Sequence, residues 1–450
     1  MNRSPSETTF MIVGAGLAGS LMACLLAKRG YRVVMYERRP DPRSEGFIGG
    51  RSINLALSTR GIEALKRVDL ADRVLADAIP MRGRMMHGPD GSLTFQPYSK
   101  RPGDAINSVS RGGLNITLLD AAEDCAEVEI HFEHRCVEID LEAPSATFEN
   151  PSGEMLTVAA DAIIGADGAF SAVRNRLQRQ ARFDYSQEFL DHGYKELTIP
   201  PTPESEFAIE PNALHIWPRG GYMMIALPNK DRSFTCTLFW PFEGPNSFDA
   251  VRSDEEISAF FRANFPDAGP IMPTLLEDYH RNPVSPLVTI RCHPWVHDDK
   301  VALLGDSAHA IVPFYGQGMN AAFEDAGVLA DCLDRHPDDR AAAFAHYSEM
   351  RKENADAIAD MAVDNFHEMR DKVASRAFVV AKKLEKTVHR WFPGWYTPLY
   401  NMVTFTTIPY AEARRRAKQQ NQVLAAAGVL FALTVLLVIV GVVAAAVDLG

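Results

Sequence analysis

Thr9–Glu37 reads as a strand, a glycine-rich turn, a helix and a second strand ending on an acid, an order that few folds accommodate. Thr9–Val13 is apolar, Gly14–Gly19 is GAGLAG, and Leu17–Arg29 is an apolar helical run that Gly30 is placed to end. Tyr31–Tyr36 forms the next strand and stops at Glu37. Gly14, Gly16 and Gly19 allow a tight turn and let backbone N–H groups approach a pyrophosphate at a helix N-terminus, where negative charge is favoured. A carboxylate about twenty residues on can grip a ribose diol, and Glu37 holds that place. The segment implies a Rossmann-like unit with a dinucleotide site. The alternative for the motif alone is a glycine turn that only packs helix on strand.

Residues 302–325, ALLGDSAHAIVPFYGQGMNAAFED, supply a second half. A strand, Val301–Leu304, ends at Gly305 and is followed at once by Asp306, a carboxylate that can accept hydrogen bonds from a polyol. A Pro-aromatic-Gly-x-Gly turn then opens a helix near Met319, whose free N–H groups can hold negative charge. A ribityl chain and the anionic edge of a reduced flavin require those two things, so the pair of segments implies bound FAD. Between them, the apolar strand Ala162–Ile164 leads into GADGAFSAVR (Gly165–Arg174), with Asp167, Gly168, Ser171 and Arg174 in a D-G-x-x-S-x-V-R spacing.

Composition excludes several classes. The net charge of −12 argues against a nucleic-acid partner. Six scattered cysteines make neither a disulfide framework nor a zinc site, histidines lack ligand spacing, and no metal is expected. MNRSPSETTF lacks the apolar core of a signal peptide. Val423–Val447 is a continuous uncharged run that as a helix would extend about 37 Å, against a bilayer core of about 30 Å. Arg414, Arg415, Arg416 and Lys418 precede it. The expectation is a single-pass C-terminal transmembrane anchor that leaves the main body on the cytosolic side.

Leu214–Asn229 and Ser233–Phe242 alternate with period two and are expected to form a hairpin-like pair of strands. Met223, Ile225 and Leu227 fall on one face, with Thr235, Thr237 and Phe239 together on the partner. Such an apolar face can roof an aromatic substrate, although ordinary sheet core is the plainer reading. The expected architecture is α/β. Residues 1–72, 104–180 and 286–335 form a discontinuous Rossmann-like FAD-binding domain, interwoven with a β-sheet substrate domain of residues 73–103 and 181–285. A C-terminal helical region, 336–421, and the transmembrane helix, 423–447, follow.

The D-G-x-x-S-x-V-R element between the two nucleotide segments resembles FAD-dependent aromatic hydroxylases. GRSINLALSTRG (Gly50–Gly61), AIPMRGRMMHGPDG (Ala78–Gly91), QPY (Gln96–Tyr98), INSVSRGGLN (Ile106–Asn115), FDYSQEF, LHIWPR, MMIALPN, VPFYGQGMN, NFHEMR and PLYNMVTF resemble the branch of that family that acts on L-kynurenine. The match runs in order along the chain. It implies NADPH- and O₂-consuming hydroxylation of the substrate ring through a C4a-hydroperoxyflavin, with no dedicated catalytic side chain.

Carried over by motif, Arg84 and Tyr98 hold the substrate carboxylate. A guanidinium fork and a phenol donor suit that task. Asn365, Tyr400 and Met369 add further substrate contacts, and Leu214, Met223, Ile225, Leu227, Phe239, Pro313 and Phe314 line the aromatic ring. For FAD the resemblance adds Leu17, Arg38, Ala56, Arg111, Cys136 (through its backbone), Gly318, Met319 and Asn320 to Gly14, Gly16, Gly19, Glu37, Asp167 and Asp306. Ser307 stands where alanine is commoner, and Tyr315 lies at a variable place. The anchor would enter the outer mitochondrial membrane in a eukaryote or the plasma membrane in a bacterium. Two other readings stay open: a flavin hydroxylase or epoxidase of a lipid or quinone, and a non-enzymatic binding protein on the same fold.

Overall fold

In a computed structural model of the chain, the described residues are 4–45, 54–99, 101, 103–368 and 395–447, without the side chains of 45, 431–432, 435–436 and 440–447. The first sheet has six strands in the order Val296–His297, Val301–Leu303, Ala162–Gly165, Thr9–Val13, Arg32–Tyr36 and Val128–His131. All neighbours are parallel except the first pair. Parallel strands are covered on both faces and so read as continuous apolar runs, and Phe10–Val13 and Ala162–Ile164 are buried accordingly. The helix Leu17–Ala27 packs against Arg111–Glu123 and Gly318–Arg335. It is buried from Gly19 to Ala27, which explains why it carries no polar stripe.

A second sheet has seven strands in the order Ser285–His293, Asp184–Ile199, Phe234–Pro241, Met223–Pro228, Leu214–Pro218, Gly83–His87 and Leu93–Pro97. Its neighbours are antiparallel except Leu214–Pro218 with Gly83–His87, which run parallel. The expected pair of strands from Leu214 to Phe242 is therefore three. Gly220 and Gly221, with φ of 60° and 122°, reverse the chain inside the first segment, where a side chain would be strained. Alternation then divides the sheet. Trp217, Met224, Ala226, Leu238 and Trp240 pack on the helices Asp254–Asn264 and Leu275–Arg281. Met223, Ile225, Ile216 and Phe239 face the rest of the molecule, as their spacing requires.

The two sheets are stitched closely. Ile79–Met81 joins Ile106–Ser110 and Asn54–Leu57 in a small three-stranded sheet beside the first, and after Arg82 alone the chain enters the seven-stranded sheet at Gly83. Another three-stranded sheet, Arg135–Asp140, Ser145–Glu149 and Met155–Ala159, packs on the main core through Ile139, Ala146 and Phe148, with Phe148 stacked 4.0 Å from Tyr36.

The C-terminal part contributes the helices Arg340–His367, Leu399–Phe405 and Tyr410–Val447. Tyr410 opens the last of these and donates from its hydroxyl to Gln317 Oε1 at 2.9 Å. Arg60 lies 3.9 Å over the Tyr410 ring and pairs with Glu324 at 2.6 Å. Among the described residues no helix is long and apolar enough to cross a membrane. The same terminal helix nevertheless exposes Val429, Leu430, Leu433, Leu437, Val438 and Ile439.

Candidate functional site

The glycine turn sits at the C-terminal edge of the parallel sheet. A Cβ on Gly14, whose φ is +103°, would lie 2.5 Å from Ala166 O, and one on Gly19 would lie 2.0 Å from Gly14 O. These two glycines are needed for packing. Gly16 differs, with nothing within 4 Å of its would-be Cβ, so open space lies above the helix start at Leu17. That N-terminus has no side-chain cap, and neither has the helix beginning at Gly318. Two uncapped helix starts leave N–H donors for an anionic ligand. Glu37 accepts from Ala15 N at 3.0 Å and Arg39 N at 3.1 Å, which places its carboxylate against the turn.

Asp306 is the one exposed residue in the otherwise buried run Val301–Ala310. Burial by the surrounding protein pushes the pKa up, partly offset by His309 and Arg111. Arg111, exposed at the start of its helix, thus stands near Asp306 and also near Glu196. Asp167 is used differently. Its Oδ2 accepts from Ala172 N at 2.6 Å and Val173 N at 3.3 Å, and its Oδ1 accepts from the Ser307 hydroxyl at 3.1 Å. Burial raises its pKa against those bonds. Ser307 also accepts from Gly168 N at 2.9 Å, so it ties the Asp167 turn to the Asp306 turn. Cys136 lies close enough to Asp167 to feel its charge, and burial first, then Asp167, lifts its thiol to about 12. Asn320 is a brace: its side chain donates to Ala56 O and Gly316 O and accepts from Ser58 N. Leu17 and Met319 are partly buried against the main core, and Arg38 is exposed beside Glu37.

In the seven-stranded sheet, Arg84 projects from the strand Gly83–His87 toward Tyr400, 4.6 Å from its ring centroid, and Tyr98, 5.7 Å away. Tyr98 and Tyr400 stack at 5.4 Å. Arg84 Nε and Tyr98 Oη are buried without a hydrogen-bond partner. Burial works to lower the guanidinium pKa, and the nearby phenols of Tyr400 and Tyr98 outweigh it, so the net shift is upward. Leu214, Ile225, Leu227, Tyr98, Tyr400 and Ala56 form one apolar cluster, which brings an expected cofactor neighbour against expected substrate contacts. Met223, Phe239 and Phe314 belong to the adjoining cluster, with Phe239 and Phe314 4.8 Å apart. Asn365 Nδ2 donates to Phe314 O at 2.6 Å. Pro313 is exposed at the turn before Phe314. Met369 lies outside the described residues. Among those described, no group of three His, Cys, Asp or Glu could hold a metal.

Sequence reasoning passed over several side chains here. Tyr315 is buried and packs 5.5 Å from Tyr400. Phe405 joins the cluster with Tyr98, and Asn401 Nδ2 donates to Tyr98 O at 3.3 Å. No local signal marked these contacts, because the partners lie between 85 and about 300 positions away in sequence.

Residues 7–362 match the family described as FAD binding domain. A kynurenine 3-monooxygenase from Salinispora tropica is 47% identical over 97% of this chain and 96% of its own length. One from Dictyostelium discoideum is 47% identical over 92% and 91%. The chain belongs to the kynurenine 3-monooxygenase family. Its fold is that of flavoprotein oxygenases more widely. The solved structure of PqsL from Pseudomonas aeruginosa superposes with a TM-score of 0.66 at 23% identity, covering 81% of this chain and 97% of that one. Membership of the kynurenine 3-monooxygenase family makes FAD the cofactor whose fit matters. The open space over Gly16, the two uncapped helix starts and the exposed Asp306 are chemically suited to a group that carries phosphates and a polyol.

Proposed function

We propose that this chain is an FAD-dependent monooxygenase that hydroxylates L-kynurenine to 3-hydroxykynurenine, consuming NADPH and O₂. The observation that carries the substrate reading is the pair of buried polar atoms without partners, Arg84 Nε and Tyr98 Oη, at one end of an apolar sheet face. A guanidinium cannot shed its charge in a protein, and a buried polar group without a partner is costly. An amino-acid carboxylate would satisfy both atoms at once, while a lipid or quinone without an anionic end would leave them unmet. From that end, Leu214, Met223, Ile225, Leu227, Phe239 and Phe314 would hold the aromatic ring over the cofactor. FAD, when bound, supplies transfer of electrons from NADPH and activation of O₂. The protein's part is to orient the ring and keep water out. The aniline nitrogen activates its own ring, so no side-chain base is required.

Gly14, Gly16, Gly19 and Leu17 are assigned to the pyrophosphate, Glu37 and Arg38 to the ribose end, and Asp306 with Arg111 to the ribityl chain. Gly318 and Met319 are assigned to the flavin. The placement of Asp167, Asn320 and Ala56 favours bracing these turns. Val423–Val447 is assigned as a membrane anchor on its uncharged sequence and the exposed apolar side chains of the helix Tyr410–Val447. The test is NADPH oxidation by the yellow holoprotein with and without L-kynurenine, with chromatographic identification of the product. Stimulation without 3-hydroxykynurenine would refute the reading.

A further inference from the structure

The strand that carries Arg84 is held by little backbone pairing on its inner side. Gly83–His87 pairs with Leu214–Pro218 in parallel through only three partners, Leu214 with Arg84, His215 with Met85 and Ile216 with Met86. A slip of one residue would turn Arg84 to the opposite face. On that opposite face the strand ends in a polar chain that neither the flavin reading nor the substrate reading uses. His87 Nδ1 meets Asp267 Oδ2 at 2.5 Å, His87 Nε2 meets His215 Nδ1 at 2.8 Å, and His215 Nε2 meets Glu210 O at 2.7 Å. Trp217 stacks on His87 at 3.9 Å and donates its indole N–H to both oxygens of Asp267, at 3.0 and 3.1 Å. Arg219, the other charged group on His87, donates to the His87 carbonyl at 3.0 Å.

The proton count in this chain is determined by its ends. A carbonyl oxygen only accepts, so His215 Nε2 carries a proton. Burial, the largest influence, holds the His215 pKa down to about 4, so near neutral pH its Nδ1 is a bare acceptor. Asp267 stays ionised: burial works to raise its pKa, but His87 and Trp217 outweigh burial and lower it. Its carboxylate accepts, so His87 Nδ1 donates to it and the ring is held between Asp267 and His215.

We propose that Asp267, His87 and His215 are positioning residues that lock the register of the strand Gly83–His87 and thereby aim Arg84 at the substrate carboxylate. The lock joins the strand to Asp267, 180 positions away in sequence, and to the neighbouring strand through His215. It rests on the reading of Arg84 given above.

The test is a double-mutant cycle on the FAD-loaded full chain. Asp267→Asn removes the carboxylate that holds the His87 ring. The expected result is a rise in the kynurenine dissociation constant on the order of tenfold, misplacement of a binding group being costly, with FAD content and kcat at saturating kynurenine unchanged. In the Arg84→Ala background the same substitution should cost less than about twofold, since coupled residues are non-additive. An undiminished penalty in that background would overturn the proposal. His87→Gln gives the same cycle if Asp267→Asn does not fold. Nitrogen-15 NMR should show the His87 ring signals shifting on Asp267→Asn, and unchanged signals would also overturn it. If Arg84→Ala by itself leaves kynurenine binding unchanged, the substrate reading falls, and the lock is judged on the response of the His87 signals to Asp267→Asn alone.

Discussion

Replacing Arg84 with methionine should stabilise the free protein while destroying its hold on substrate. The guanidinium sits beside two aromatic faces, 4.6 and 5.7 Å from the ring centroids of Tyr400 and Tyr98, with its Nε buried and unpaired. An uncompensated charge at full burial costs about 3–5 kcal/mol. Cation–π attraction returns about 0.5–2 kcal/mol, and Arg84 is only partly buried. What remains to be relieved is about 1–2 kcal/mol. Methionine keeps most of the apolar stem and packs adaptably. A chain this long should gain about 1–2 °C in Tm. The opposite effect falls on binding. Truncating one partner of a buried charged pair costs about 2–5 kcal/mol, which is roughly 30- to 4,000-fold in Kd. The assay is thermal unfolding of the FAD-loaded protein with and without L-kynurenine. Substrate at about 100 times its Kd should stabilise the wild type by about 2.7 kcal/mol, and the same concentration should stabilise Arg84→Met by less than about 0.9 kcal/mol. A variant that melts lower without substrate, yet still shifts with it, would refute this reasoning.

Glu196 has its pKa lifted by burial to about 7 from an ordinary 4.5, against the pull of Arg111. The folded carboxyl therefore keeps its proton longer than the unfolded one, so stability falls as pH rises from about 4.5 through 7 and stays reduced above. That gap is worth about 3.4 kcal/mol at full burial, and about 1–2 kcal/mol with solvent at the side chain. Glu196→Gln should match the wild type near pH 4 and melt higher at pH 8; equal melting at both would count against the environment described. Asp306→Ala should lower FAD affinity about ten- to a hundredfold, the worth of a hydrogen bond to a charged group, read as the flavin-to-protein absorbance ratio after gel filtration. Full flavin loading would remove Asp306 from the ribityl site. A chain ending at Gln422 should stay yellow and active and leave the membrane fraction; its recovery in the membrane pellet while folded would move the anchor elsewhere.

What could be read from sequence follows from how local each signal is. The turn at Gly14–Gly19 announces itself because glycine spacing, apolar strand and terminal acid lie within thirty residues. The shared face of Met223, Ile225 and Leu227 could be read from alternation, and the register with Phe239, Thr237 and Thr235 follows it. Asp167 shows where such reading stops. Its motif marks a strand-to-helix turn correctly, but whether the carboxylate meets a cofactor or caps Ala172 and Val173 depends on Ser307, 140 positions away. The parallel pairing of Leu214–Ile216 with Arg84–Met86 and the approach of Asp267 to His87 are likewise tertiary. No periodicity in either segment points to the other.

The passage from Ile79–Met81 through Arg82 to Gly83–His87 bears on how these proteins can be recombined. Arg82 is a hinge between two sheets whose own backbone is occupied on both sides, its N–H donating to Asn212 O and its carbonyl accepting from Tyr98 N. A cassette cut at the edges of the substrate strands would sever a junction that both sheets need. Exchange of substrate preference between relatives by segment grafting should therefore work only when the donor piece brings Ile79 to Tyr98 together with the Asn212 turn. Otherwise the graft inherits Arg84 without the frame that aims it.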